Sequence, residues 1–172
     1  MENKHVTLET SPSPKQEIIS IRHLSHRFSD GSTGLEDVTL TISSGEFVIL
    51  AGPNGSGKST LLKHLNGILS PSEGTILLKG RPVSEDLQRA RRMVGMVFQD
   101  ADSQIVGETV WEDTAFGPQN LSFKKPIIQE KVQTALNTVG LVHLAEKPPY
   151  LLSGGEKRRL AIAGVLAMDP QV

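Results

Sequence analysis

Residues 51–60 read AGPNGSGKST. Within them Gly52, Pro53, Asn54, Gly55, Ser56, Gly57, Lys58 and Ser59 fit the pattern G-x4-G-K-[ST]. Glycines let a backbone curl into a concave nest whose N–H groups all face one anion. A helix beginning near Lys58 adds its positive end, the Lys58 ammonium reaches the outer phosphates, and the Ser59 hydroxyl suits a Mg²⁺ ion. Thr60, next on the helix, completes the candidate stretch. The run before the loop, EFVILA at 46–51, is continuously apolar, which suits a parallel-sheet strand covered on both faces. LLKHLNGI after it has helical spacing. Strand, glycine-rich turn and helix in that order point to phosphate binding rather than to a chance turn.

Further out, IISIRHLSHRF (18–28) and LEDVTLTIS (35–43) alternate apolar and polar residues, as half-buried antiparallel strands do. GTILLKG (74–80) reads as a strand, SEDLQRARR (84–92) as a short exposed helix and MVGMVFQ (93–99) as another strand. Strand signals vanish from about 104 to 148, where spacing such as IIQEKVQTALNTVG is helical. SGGEKRRLAIAGVLAM (153–168) reads as a capped helix stopped by Asp169-Pro170. The expected fold is an α/β P-loop core with an N-terminal antiparallel β subdomain and a helical subdomain. The expected divisions are a disordered tail at 1–17, the core at 18–100, the helical subdomain at 101–152 and a returning helix at 153–172.

Composition excludes several classes. Of 172 residues, 18 are Lys or Arg and 19 are Asp or Glu, for a net charge of −1, so no overall field draws the chain to nucleic acid. Without cysteine there are no disulfides or thiolate metal sites. The longest strongly apolar stretch, LAIAGVLAM at 160–168, falls well short of the roughly 20 residues that span a bilayer. The N-terminus has no stretch of signal-peptide type. The expectation is a soluble chain brought to any membrane by a partner. A guanine-reading Asn-Lys-x-Asp motif is missing downstream of the loop, since Asn3-Lys4 is the only Asn-Lys pair.

Residues 152–156 read LSGGE. Ser153, Gly154, Gly155 and Glu156 form a capping-box pattern, and two glycines leave the helix start open to an anion. On local physics alone this is a well-capped helix. Together with the phosphate loop about one hundred residues upstream, it resembles the signature motif of the ATP-binding cassette (ABC) nucleotide-binding domains. The resemblance covers about 18–172. It implies ATP and Mg²⁺ as ligands, with Ser59 and Gln99 (of MVFQD) serving the metal and Gln99 also positioning water. It implies that Phe28 stacks on adenine, the other reading being a core aromatic. It further implies a head-to-tail dimer, of like or related chains, in which Ser153, Gly154, Gly155 and Glu156 face the ATP held by the partner's loop.

Within that family, QDADSQIVGETVWEDTAFGPQNL (99–121) looks like the energy-coupling-factor and cobalt-type importers. The stretch of about 101–121 would then face a membrane-embedded transport subunit at the cytoplasmic face of the cell membrane. The bland alternative is a solvated loop in which Trp111 and Phe116 pack internally. The family takes its hydrolytic carboxylates from an apolar strand ending Asp-Glu after the signature helix, and a histidine further on. No Asp-Glu pair occurs here, and all five histidines (His5, His23, His26, His64, His143) precede LSGGE and read as surface or packing residues. VLAMD (165–169) continues a helical register and is not that strand. The chain is therefore expected to be C-terminally incomplete against the family, inactive in hydrolysis on its own, and unstable for want of sheet neighbours. The leading functional reading is an importer ATPase subunit for a metal ion (cobalt or nickel) or a vitamin. A cytosolic ABC protein and a non-hydrolysing remnant are the alternatives.

Overall fold

Alternation of apolar residues, broken by the turn chemistry of SDGSTG, gives two long strands, β1 (Glu17–Arg27) and β2 (Thr33–Ser43). The computed structural model describes residues 16–172, so the expected disordered tail lies outside the described residues except at its last two positions, where β1 already begins at Glu17. β3 (Glu73–Leu78) and the two-residue β4 (Arg81–Pro82) complete an antiparallel sheet in the order β2-β1-β3-β4. β1 lies between two neighbours, with Ile21 opposite Leu40 on one side and Ile76 on the other. Its first half departs from the expected alternation: Ile18, Ile19, Ser20 and Ile21 are all buried, as befits a central strand with both faces covered. The register slips between Ile21 and Leu24, where His23 and Asp37 both have positive φ and pair at 2.7 Å through Nδ1 and Oδ1.

The chain divides into two units. One runs through His64 and takes in Ile68–Glu85; the other comprises Leu65–Gly67 and Asp86–Val172. The first contains the sheet and α1 (Lys58–Leu65) up to its penultimate residue.

The EFVILA expectation is corrected. Residues 46–51 form no strand, and Phe47 is 90% and Ile49 75% exposed. A parallel strand takes all its backbone partners from neighbouring strands, and no strand among the described residues lies alongside this run. MVGMVFQ is corrected for the same reason. Met93 ends α2 (Leu87–Met93), and 94–99 run on without regular structure.

The second unit is helical. Asp86 caps α2 by accepting from Arg89 N–H. Thr109 caps α3 (Val110–Asn120) by accepting from Glu112 N–H at 3.1 Å. α4 (Lys125–Val139) has Pro126 in its first turn and stops at Gly140, which takes the left-handed conformation. α5 (Gly154–Leu166) begins at a complete capping box. The three long helices pack on one another around Val110, Val132, Leu136, Leu141 and Leu160, all without solvent exposure. The helical reading of 104–148 and of 153–168 therefore holds, and VLAMD lies at the end of α5, not in a strand.

Candidate functional site

The phosphate loop stands before α1 as the pattern requires. Gly55 and Gly57 have φ of 83° and 84°, a conformation that side chains resist. Gly57 is doubly constrained, because a Cβ there would lie 2.6 Å from the Gly34 carbonyl oxygen and 2.8 Å from Leu35 Cδ2. The loop thus follows a path that only glycine permits, pressed against the start of β2. Lys58 Nζ folds back over it and donates to the carbonyls of Gly52 (2.9 Å) and Pro53 (2.7 Å). Ser56 N–H donates to the Pro53 carbonyl, closing the turn. Ser59 is exposed in the first turn of α1 and Thr60 half-buried beside it.

These residues suit a magnesium nucleotide. The cradle is built of positive-φ glycines one of which a Cβ would block, a lysine stands over it, and a hydroxyl sits at the helix start. Phe28 lies close by in the same unit. A Cβ on Gly34 would touch its ring at 2.7 Å, and it meets His26 edge-on at 4.7 Å. The ring is 40% exposed and lies beside the segment that flanks Gly57.

Gln99 belongs to the second unit and is exposed, on a loop held from within. There Gln104 does what sequence reading did not assign to it. Its Oε1 accepts from Phe98 N–H at 3.0 Å and its Nε2 donates to the Met96 carbonyl at 3.3 Å. Asp113 is the other unassigned residue. Buried at the start of α3, its Oδ1 accepts from the N–H groups of Val106 (2.7 Å) and Gly107 (3.0 Å). Gly107 must be glycine in that clamp, since a Cβ would lie 2.2 Å from Asp113 N. Both residues fall inside the stretch that carried the importer resemblance, so the signal was present as a motif without a role. Trp111 packs partly buried against the helical core, whereas Phe116 is half exposed. The internal-packing alternative therefore fits the first and not the second.

At α5, Ser153 N–H and Oγ both donate to Glu156 Oε2 at 2.7 Å, and Glu156 N–H donates back to Ser153 Oγ at 3.3 Å. Those bonds hold the Glu156 carboxyl below the usual carboxylate range. Gly154 and Gly155 have open space where a Cβ would stand. Among the described residues no cluster of three or more His, Cys, Asp or Glu is placed to hold a metal. The histidines divide between surface and packing. His23 is exposed, but His26 and His64 are buried and in contact, with His64 Nε2 3.2 Å from His26 Nδ1.

Comparisons with known proteins agree with this geometry. A family model described as "ABC transporter" matches residues 35–172. The chain is 48% identical over 158 residues to the energy-coupling factor transporter ATP-binding protein EcfA2 of Methanospirillum hungatei, spanning 90% of this chain and 40% of that protein. It is also 48% identical over 158 residues to EcfA of Methanocaldococcus jannaschii, spanning 57% of that protein. The chain thus spans about half the length of these relatives. Among solved structures, cbiO1 of Clostridium perfringens, described as part of the ABC transporter complex cbiONQ, superposes with a TM-score of 0.81 at 39% identity, over 91% of this chain and 63% of that one. A dimeric bacterial ABC transporter cassette, MJ0796, gives 0.78 at 29% identity, over 89% of this chain and 71% of that one. Phosphate loop, capped LSGGE helix, fold and family match converge: the chain belongs to the ABC transporter family, on the side of its ATP-binding subunits.

Proposed function

We propose that this polypeptide is the nucleotide-binding part of an energy-coupling-factor-type importer, serving uptake of a metal ion such as cobalt or nickel, or of a vitamin. The observation that carries the reading is the glycine nest at 52–57 with Lys58 folded over it at the start of α1. Bound ATP with Mg²⁺ supplies the phosphoryl transfer that drives transport. The chain's own residues divide the remaining work. Gly52 to Gly57 cradle phosphate oxygens, and Lys58 trades its two carbonyl partners for them. Ser59 would hold the metal, and Phe28 would stack on the base. Ser153, Gly154, Gly155 and Glu156 face the nucleotide on a second copy or a related chain. Gln99 is the residue that the family resemblance assigns to positioning water.

A groove of about 310 Å³ in the helical unit supports a membrane-embedded partner. Phe116, Gly117 and Leu121 of α3 and the turn after it line it together with Gln104, Val165 and Met168. It is mostly apolar, adjoins the 101–121 stretch, and fits a short helix from a transport subunit at the cytoplasmic face of the membrane. No helix among the described residues is itself long and apolar enough to cross a membrane.

Titration with Mg-ATP by calorimetry tests the reading. Wild type is expected to bind, and Lys58→Ala to lose about ten- to a hundredfold in affinity, the worth of one or two hydrogen bonds to a charged group. A wild-type chain that binds no nucleotide, or a Lys58→Ala chain that binds as wild type does, overturns it.

A further inference from the structure

Three rings stand in a row within the sheet-bearing unit. Phe28, just past the end of β1, meets His26 at a centroid distance of 4.7 Å and an interplanar angle of 84°. His26 in turn meets His64, in the last turn of α1, at 4.7 Å and 75°. Exposure falls along the row, from a partly exposed Phe28 to a buried His26 and a His64 with no exposed surface. Hydrogen bonds fix the inner two rings. His26 Nδ1 lies 3.2 Å from both the Ser70 carbonyl and His64 Nε2, and a carbonyl only accepts, which assigns the His26 proton to Nδ1. His64 Nδ1 is held in its turn by the Thr60 carbonyl at 2.7 Å. The Phe28 ring has no polar atom with which to fix itself. It touches His26 and crowds Gly34, where a Cβ would lie 2.7 Å from Phe28 Cε2 and 3.2 Å from His26 Cδ2.

We propose that His26 is a positioning residue for the ring that receives the base: pinned by Ser70 and His64, it holds Phe28 in place before a nucleotide arrives. This rests on the proposed function, in which Phe28 stacks on the base. A ring already set loses less freedom when a ligand binds, and the saving appears as affinity. An edge-on aromatic contact is directional enough to set it. His26 is itself buried, so it acts through Phe28 and not on the ligand. The phosphate half of the site is held by other means, since Lys58 bonds to the carbonyls of Gly52 and Pro53. His26 therefore contributes to the affinity of ligands that carry a base and not to that of phosphate alone.

Mg-ATP and Mg-tripolyphosphate, which lacks a base, are titrated into the full chain by calorimetry. His26→Asn removes the ring while keeping an amide donor near the Nδ1 position. It is expected to weaken Mg-ATP about three- to tenfold, the worth of one aromatic pair, and to leave Mg-tripolyphosphate as it is. Phe28→Leu is expected to weaken Mg-ATP at least as much, and the double variant no further than Phe28→Leu alone. A His26→Asn chain that binds Mg-ATP as wild type does, beside a weakened Phe28→Leu, overturns the inference alone. Equal loss for both ligands also overturns it, since His26 then supports the unit in general, and so do losses that add in the double variant. The wild-type chain gives a readout that needs no variant to fold. Its His26 imidazole resonances should move with Mg-ATP and not with Mg-tripolyphosphate, and resonances that ignore both or follow both alike overturn the inference. A wild-type chain that binds no Mg-ATP, or a Phe28→Leu chain with undiminished affinity for it, overturns the proposed function or its base-stacking part, and the inference with it.

Discussion

His64 has no exposed surface, and its hydrogen bonds fix its protonation. Nδ1 lies 2.7 Å from the Thr60 carbonyl, an acceptor only, which assigns the proton to Nδ1 and leaves the Nε2 lone pair facing His26 Nδ1. Burial pushes the His64 pKa down, and the neighbouring His26 adds to that, against the pull of the Thr60 and Ser70 carbonyls. The folded value lies below the unfolded value of about 6.5, so the unfolded chain binds the extra proton first. Local stability is full above about pH 6.5 and is lost as pH falls toward the folded pKa. Exchange of the α1 amides, corrected for the intrinsic rate, is expected to quicken as pH falls below about 6.5 and to lose that dependence in His64→Gln; an unchanged slope in the variant would count against His64. Gly57→Ala tests the loop. Positive φ and a 2.6 Å approach to the Gly34 carbonyl together make alanine cost about 1–3 kcal/mol. Loss of ATP binding with the sheet's circular dichroism retained is the expected result. The glycine pattern made this residue legible in sequence. Nothing in the spacing of His26 and His64 did, because 38 residues separate them and only the fold sets β1 beside the last turn of α1.

At the scale of elements, what could be read from the chain is what depends on local chemistry. β1, β2 and β3 came from alternation and turns, and α5 from a capping box that is present bond for bond. EFVILA and MVGMVFQ could not be read correctly, since an apolar run becomes a parallel strand only beside other strands. The link between the 105–107 loop and α3 was equally hidden, although Asp113 was in plain view within a recognised motif. Replacing Asp113 with alanine strands two backbone donors, at a cost of about 1–3 kcal/mol. Exchange at Val106 and Gly107 should accelerate while α4 amides stay as they are; equal acceleration throughout the helical unit would mean that Asp113 serves general packing. Ser153→Ala removes a cap that accepts from Glu156 N–H, worth about 1 kcal/mol, and should fray the first turn of α5 before any other part of that helix.

Across the whole molecule, the chain carries its apolar surface unevenly. Phe47, Val48, Ile49 and Leu50 are exposed side by side, directly before the phosphate loop. Contiguous apolar surface of this kind invites association. The polypeptide is expected to bind a hydrophobic dye and to scatter light on warming. Phe47→Ser with Ile49→Ser should reduce both, and a reversible, cooperative melt of the unaltered chain would contradict the expectation. Polar groups are treated in the opposite way: among the described residues no buried side-chain nitrogen or oxygen lacks a hydrogen-bond partner. That economy extends to the two places where phosphate is expected. The ammonium of Lys58 is held by two carbonyls of its own loop, and the carboxylate of Glu156 already occupies the positive end of α5. Neither end waits bare. Under the proposed function, capture of a nucleotide is thus an exchange of partners, with the Lys58 ammonium released from carbonyl oxygens to phosphate oxygens, and its affinity is set by the difference between two sets of bonds.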